Sequence, residues 1–196
     1  MKQINIVLFD GFTTLDALGP AEVFSKLDRI YCINYYSVNG GLITSSTHNK
    51  IQTDRIDEIA QKDIVLIPGG WGARQLVNDE NFIEKIKAVA TESENVLSVC
   101  TGSAILAKTG LLDDREATSN KMSWEWVISQ NKKVRWLKKA RWTVDGKYYT
   151  SSGITAGIDM SLGFIKDKVN YEAAKMISKA LEYLWNENKD VDPFAG

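Results

Sequence analysis

The chain has 196 residues, a length that fits one domain with a core of its own. Hydrophobic residues make up 44% and charged residues 25%, which excludes a disordered or membrane-embedded class. Lys plus Arg is 24 against Asp plus Glu 25, and the formal charge of -1 lacks the basic excess of a dedicated nucleic-acid binder.

From the N-terminus, Ile4 to Phe9 is an apolar run broken by Asn5 and stopped by Asp10. It is too short for a signal-peptide core, and no apolar run anywhere reaches the length of a membrane span. Residues 3–9 instead suit a strand buried on both faces. A helix is expected over 15–29, with Leu18, Val23, Phe24 and Leu27 on its apolar side. Residues 31–38 read as a second strand, Gly40-Gly41 as a turn and 42–53 as short extra strands. Residues 63–67 form another buried strand, ended by Pro68-Gly69-Gly70. Phe82, Ile83, Ile86 and Val89 predict a helix over 80–92. A strand at 95–100 runs into a helix at 102–109. Trp124, Trp126 and Ile128 suggest a short helix. Residues 133–137 and 141–150 read as strands, with Asp145-Gly146 as a hairpin turn. Two closing helices are expected at 154–166 and 170–185, the second with an apolar stripe of Tyr171, Ala174, Ile177, Leu181 and Leu184. Residues 186–196 are expected to form a loose tail. Alternating strands and helices with no internal repeat predict one α/β domain over residues 1–196, with a mainly parallel central sheet and helices on both faces. Ligands bind such sheets beyond the carboxyl ends of the strands. That directs attention to the loop after Phe9, the turn at 68–70 and the corner at Cys100.

Cys100 falls where a buried strand turns straight into a helix, the placement of a nucleophile elbow. Gly102, Ser103 and Ala104 let the helix begin close to the strand, and its free N–H groups and dipole favour a thiolate. Such settings lower a cysteine from about 8.5 to about 3.5–7.5. The alternative is a structural cysteine at a strand end. The Gly70 and Thr101 amides are candidate donors to a developing anion, against the reading of a plain glycine turn. Asp16, early in the first helix, is either the proton carrier for Cys100 or a solvated helix-start acid. Cys32 lies within a strand and reads as a small apolar residue. Two cysteines make at most one bridge, so a reduced, cytoplasmic protein is expected.

Four segments carry a resemblance: Thr14 to Phe24 (TLDALGPAEVF), Ile67-Pro68-Gly69-Gly70, Ser98 to Ser103 (SVCTGS) and Thr150 to Asp159 (TSSGITAGID). In this order they resemble the ThiJ/PfpI superfamily, related to class I glutamine amidotransferases, over nearly the whole chain. The likeness is closest to the isonitrile hydratase group and its relatives fused to AraC-type regulators. The resemblance implies a flavodoxin-like three-layer sandwich, usually dimeric, with Cys100 as nucleophile, Asp16 as acid/base partner and Thr101 beside it. Protease-like members have a His directly after the cysteine; this chain has Thr101, and its one histidine, His48, lies far away in sequence. Regulator-like relatives often carry a His in the segment where this chain has Ala117-Thr118-Ser119-Asn120, so Asn120 is a departure; Asn120 and Trp71 are candidates for the substrate pocket.

Residues 132–141 hold six basic side chains (Lys132, Lys133, Arg135, Lys138, Lys139 and Arg141), with Trp136 and Trp142 interleaved. They are expected to form a solvated face rather than a nucleic-acid footprint. His48 has no cysteine or acidic cluster beside it, so no metal or other cofactor is expected. Three functions remain open. The first is hydration of a small electrophile, an isonitrile, through a thioimidate on Cys100. The second is a non-catalytic redox sensor built on the same thiol. The third is a glyoxalase- or deglycase-type activity on small aldehydes. The expected partners are a small-molecule substrate and a second copy of the chain, with neither nucleic acid nor membrane.

Overall fold

The computed structural model describes all 196 residues. Its central sheet has eight strands in the order β3-β4-β2-β1-β5-β6-β10-β9. These are β1 (Lys2–Val7), β2 (Tyr31–Ser37), β3 (Gly41–Thr44), β4 (Lys50–Arg55), β5 (Ile64–Ile67), β6 (Asn95–Val99), β9 (Trp142–Asp145) and β10 (Tyr148–Ser151). A two-residue pair, β7 (Glu116–Ala117) with β8 (Arg135–Trp136), lies apart. From β4 to β10 every pairing is parallel; β3 and β9 are added antiparallel at the two edges. Within β1, Ile4 pairs with Ile64 of β5, and Val65 of β5 pairs with Val96 of β6. These three neighbours carry the near-continuous apolar runs of the sequence, because helices cover them on both faces.

One layer is formed by α1 (Thr14–Ser25), α6 (Ala156–Lys168) and α7 (Tyr171–Ala180), with α1 packed on α6 and α6 on α7. The other is built around α4 (Gly102–Lys108), packed on α2 (Ala73–Leu76), α3 (Glu80–Glu92) and α5 (Trp124–Gln130). Phe24 and Tyr149 meet Phe164 edge-on at 5.8 and 5.0 Å between ring centroids, joining sheet and first layer. No helix is long and apolar enough to cross a membrane. The strand order reverses between β1 and β5, so the crevice at that reversal opens beyond the ends of β1, β5 and β6.

Three local expectations are corrected. The last helix ends at Ala180, not near residue 185. Glu182 takes φ 48°, and the chain turns back so that Tyr183 Oη and Trp185 Nε1 donate to Asp159. Leu184 leaves the expected stripe and is exposed. The segment 186–196 is not loose. Arg141 and Trp142 donate their N–H groups to Lys189 O, Asp192 donates its own to Lys139 O, and the Asp192 side chain is buried between Arg141 and Lys121. Arg141, in turn, does not belong to a solvated face. It is buried, and its Nε and Nη2 grip the buried Asp159 carboxylate at 2.9 and 2.7 Å. The other five basic residues of that run are exposed.

Candidate active site

Asp16, Gly69 and Cys100 come from three different strand ends. The loop after β1 is joined to the loop after β5 by Thr13 N–H donating to Gly69 O at 2.8 Å and by a bridge between Phe12 and Gly70. Asp16 then accepts the Gly69 N–H on Oδ2 at 3.0 Å. The β5 loop reaches α4 through the Gly70 N–H, which donates to Thr101 Oγ1 at 2.9 Å. Gly102 permits this approach: a Cβ there would strike the Ile67 and Pro68 carbonyls.

Cys100 has φ 58°, the left-handed conformation of a strained elbow, at a typical cost of about 1–3 kcal/mol. Its backbone is pinned from several sides. The N–H donates to the Ser151 and Ser152 carbonyls, and the Cys100 carbonyl accepts the hydroxyls of Ser103 at 3.0 Å and Ser119 at 2.8 Å. Three donors face Sγ: the N–H groups of Thr101 and Ile154 and the side-chain amide of Asn120. The Asn120 amide is oriented because its Oδ1 accepts the Ser123 N–H at 2.9 Å, leaving Nδ2 turned toward Gly153 and the thiol. Ile154, whose N–H lowers the thiol, has φ 43°, unusual for a β-branched residue.

Burial decides the electrostatics. Removal from water pushes the Asp16 carboxyl up to about 7, against the Gly69 and Cys100 hydrogen bonds that lower it. Burial, and then the Asp16 charge, push the Cys100 thiol up to about 12, and the three donors only partly offset this. Burial and the Asp16 charge thus oppose the thiolate that the N-terminus of the seven-residue α4 favours. Asp16 Oδ1 is buried with no hydrogen-bond partner, and the Cys100 thiol is the titratable neighbour of that carboxyl.

Of the residues singled out from the sequence, Asp16, Cys100, Thr101 and Asn120 converge here, and Gly70 and Trp71 line the same cleft. The Gly70 N–H is engaged by Thr101 Oγ1 rather than free, so the second backbone donor at sulfur is Ile154. His48 sits in the turn between β3 and β4 at φ 63°. Ile154 and Arg74 were missed. Ile154 lies inside the quoted segment 150–159, whose order hinted at its place; nothing local marks Arg74. The cleft has a volume of about 230 Å³. A second cavity of about 520 Å³ shares Asn120, Met122 and Ile154 with it and is lined by Phe194.

The chain is 31% identical over 182 residues to an isonitrile hydratase from Pseudomonas putida, covering 92% of this chain and 78% of that one. It is 28% identical over 190 residues to the HTH-type transcriptional regulator GbdR from Pseudomonas aeruginosa, and spans about half (51%) of that regulator's length. A THiJ/PfpI family protein from Pseudomonas syringae superposes with a TM-score of 0.82 at 25% identity, covering 98% of this chain and 76% of that one. DJ-1beta from Drosophila melanogaster shares the fold, with a TM-score of 0.80 at 18% identity over 94% and 99% of the two chains. The model of the DJ-1/PfpI family matches residues 2–167, all the segments that build the cysteine site, and the chain belongs to that family.

Proposed function

We propose that the protein is an enzyme that uses Cys100 to add water to a small electrophile, with an isonitrile as the substrate class. The observation that carries this reading is the buried Asp16 carboxyl beside the Cys100 thiol at the end of an open cleft. Such a carboxyl, near 7, can take a proton and return it within one cycle. Asp16 accepts the thiol proton as Sγ bonds to the terminal isonitrile carbon, then delivers that proton to the same carbon. The product is a thioimidate, Cys100–S–CH=N–R. Water adds to this carbon, giving one proton to Asp16 and one to nitrogen. The C–S bond then breaks, the N-substituted formamide leaves, and sulfur recovers its proton from Asp16. The Thr101 and Ile154 N–H groups and the Asn120 amide stabilise sulfur while it carries negative charge. The likeness to isonitrile hydratase supports the choice of substrate over aldehydes. Cys100 is buried, whereas a peroxide sensor needs an accessible thiolate.

The test is a panel of isonitriles, methylglyoxal and peptides, run on the wild type and on Cys100→Ser. Formamide production by the wild type alone is expected. Aldehyde consumption without isonitrile turnover, or equal activity in Cys100→Ser, would overturn the reading. A homodimer in the cytoplasm completes the proposal, and a monomer in sedimentation at micromolar concentration would remove its dimeric part.

A further inference from the structure

The cleft holds one charged side chain that the chemistry above leaves unused. Arg74, in α2, lines it together with Thr13, Cys100 and Asn120. Its guanidinium lies 4.4 Å from the centroid of the Trp126 ring and 5.0 Å from that of Trp71. Indole faces hold a guanidinium through its π surface and leave its N–H edge available. Arg55, Arg115, Arg135 and Arg141 each sit against an aspartate. Arg29 and Arg74 have no such partner; Arg29 is exposed on the surface, whereas Arg74 is half-buried at the cleft. No Asp or Glu lines that cleft. Arg74 is thus a positive fork without a carboxylate partner, in the same small cavity as Cys100.

We propose that Arg74 selects a substrate carrying a carboxylate a few atoms from the carbon that Cys100 attacks. A volume of about 230 Å³ suits a small organic acid. The guanidinium receives the carboxylate on its N–H edge, and the Trp71 and Trp126 rings keep that edge in place. This proposal rests on the reading of Cys100 as the nucleophile, but its test needs no turnover.

Iodoacetate and 3-bromopropionate are compared with their amides as alkylators of Cys100. In each reaction sulfur bonds to the halogen-bearing carbon, halide leaves with the bonding pair, and the thiol proton passes through Asp16 to solvent. The wild type should show an acid-to-amide rate ratio well above that of N-acetylcysteine amide, and added salt should lower it. Arg74→Gln should cut the ratio about tenfold, the worth of one charge-assisted contact. Arg74→Lys should recover part of it. Where alkylation is too slow to time, the thermal midpoint is measured with butyrate and with butyramide. Butyrate alone should raise it in the wild type, and neither should in Arg74→Gln. A rate ratio unchanged by Arg74→Gln, or equal effects of butyrate on both proteins, overturns the proposal. Failure to turn over isonitriles, with the ratio behaving as expected, would instead remove only the hydratase reading.

Discussion

Moving Asp16 out of water raises its carboxyl to about 7, while in the unfolded chain it titrates near the ordinary 3.8. The native state therefore holds an extra proton between about pH 4 and 7. The associated stability is complete below about pH 4 and is lost as pH rises through about 7. Asp16→Asn has no such dependence. It should be more stable than the wild type at pH 8 by roughly 2–4 kcal/mol, a gap that closes toward pH 4.5, read from urea midpoints at the two pH values. The same variant should lose about 10²–10⁴-fold in turnover, because an amide cannot carry the proton. Equal activity would show that another group moves it. The meeting of Asp16 and Cys100 was legible in the sequence, from an elbow cysteine followed by small residues and an acid at the start of the first helix. The direction of the cysteine shift was not, since it depends on burial by segments distant in sequence. Nor was the part played by Ile154, whose positive φ runs against the local preference of a β-branched residue.

At the scale of elements, β5 and β6 end side by side, and α4 must start against the β5 carbonyls. Gly102→Ala would press a methyl group into Ile67 O. It should lower stability by about 1–3 kcal/mol in urea and slow Cys100 labelling, because Thr101, whose amide lowers the thiol, directly precedes α4. Unchanged labelling would mean that β5 and α4 can separate without disturbing the site. Elements with one dominant signal were readable. The helix expected at 80–92 is α3, Glu80–Glu92, whose Asp79 side chain caps the Phe82 N–H. The turn at Asp145-Gly146 joins β9 to β10 as the sequence indicated, with Gly146 at φ 62°. The end of the last helix was misread because Leu181 and Leu184 extend an apolar spacing, whereas the demand of Asp159 for donors from Tyr183 and Asn186 turns the chain. That is a tertiary requirement and leaves no periodic trace.

Across the whole molecule, the segment after α7 is locked by charge. Asp192 is buried, 3.6 Å from Arg141 and 3.7 Å from Lys121, and those two side chains are themselves nearly buried. Asp192→Ala should cost about 3 kcal/mol in a urea midpoint, the low end for breaking a buried pair, because Arg141 keeps Asp159. It should also speed hydrogen exchange at the Asp192 amide, now bonded to Lys139 O. A loss below about 0.5 kcal/mol would show that this end of the chain is held by its backbone alone. The parallel α/β architecture was legible because β1, β5 and β6 are unbroken apolar runs; the anchoring of the last residues was not, because Asp192 looks solvent-bound until Arg141 and Lys121 are placed around it. The pinning of Cys100 to Ser151 and Ser152 has a consequence in time. A ribosome that has just released β6 exposes a cysteine whose elbow cannot close, since β10 and Ile154 are still unmade or inside the exit tunnel. During that interval the sulfur is an ordinary solvent-facing thiol, near its unperturbed titration and open to oxidants, and only docking of β10 withdraws it. Pulse alkylation during refolding would thus serve as a clock for insertion of the last parallel strand, with Cys32 as the internal reference.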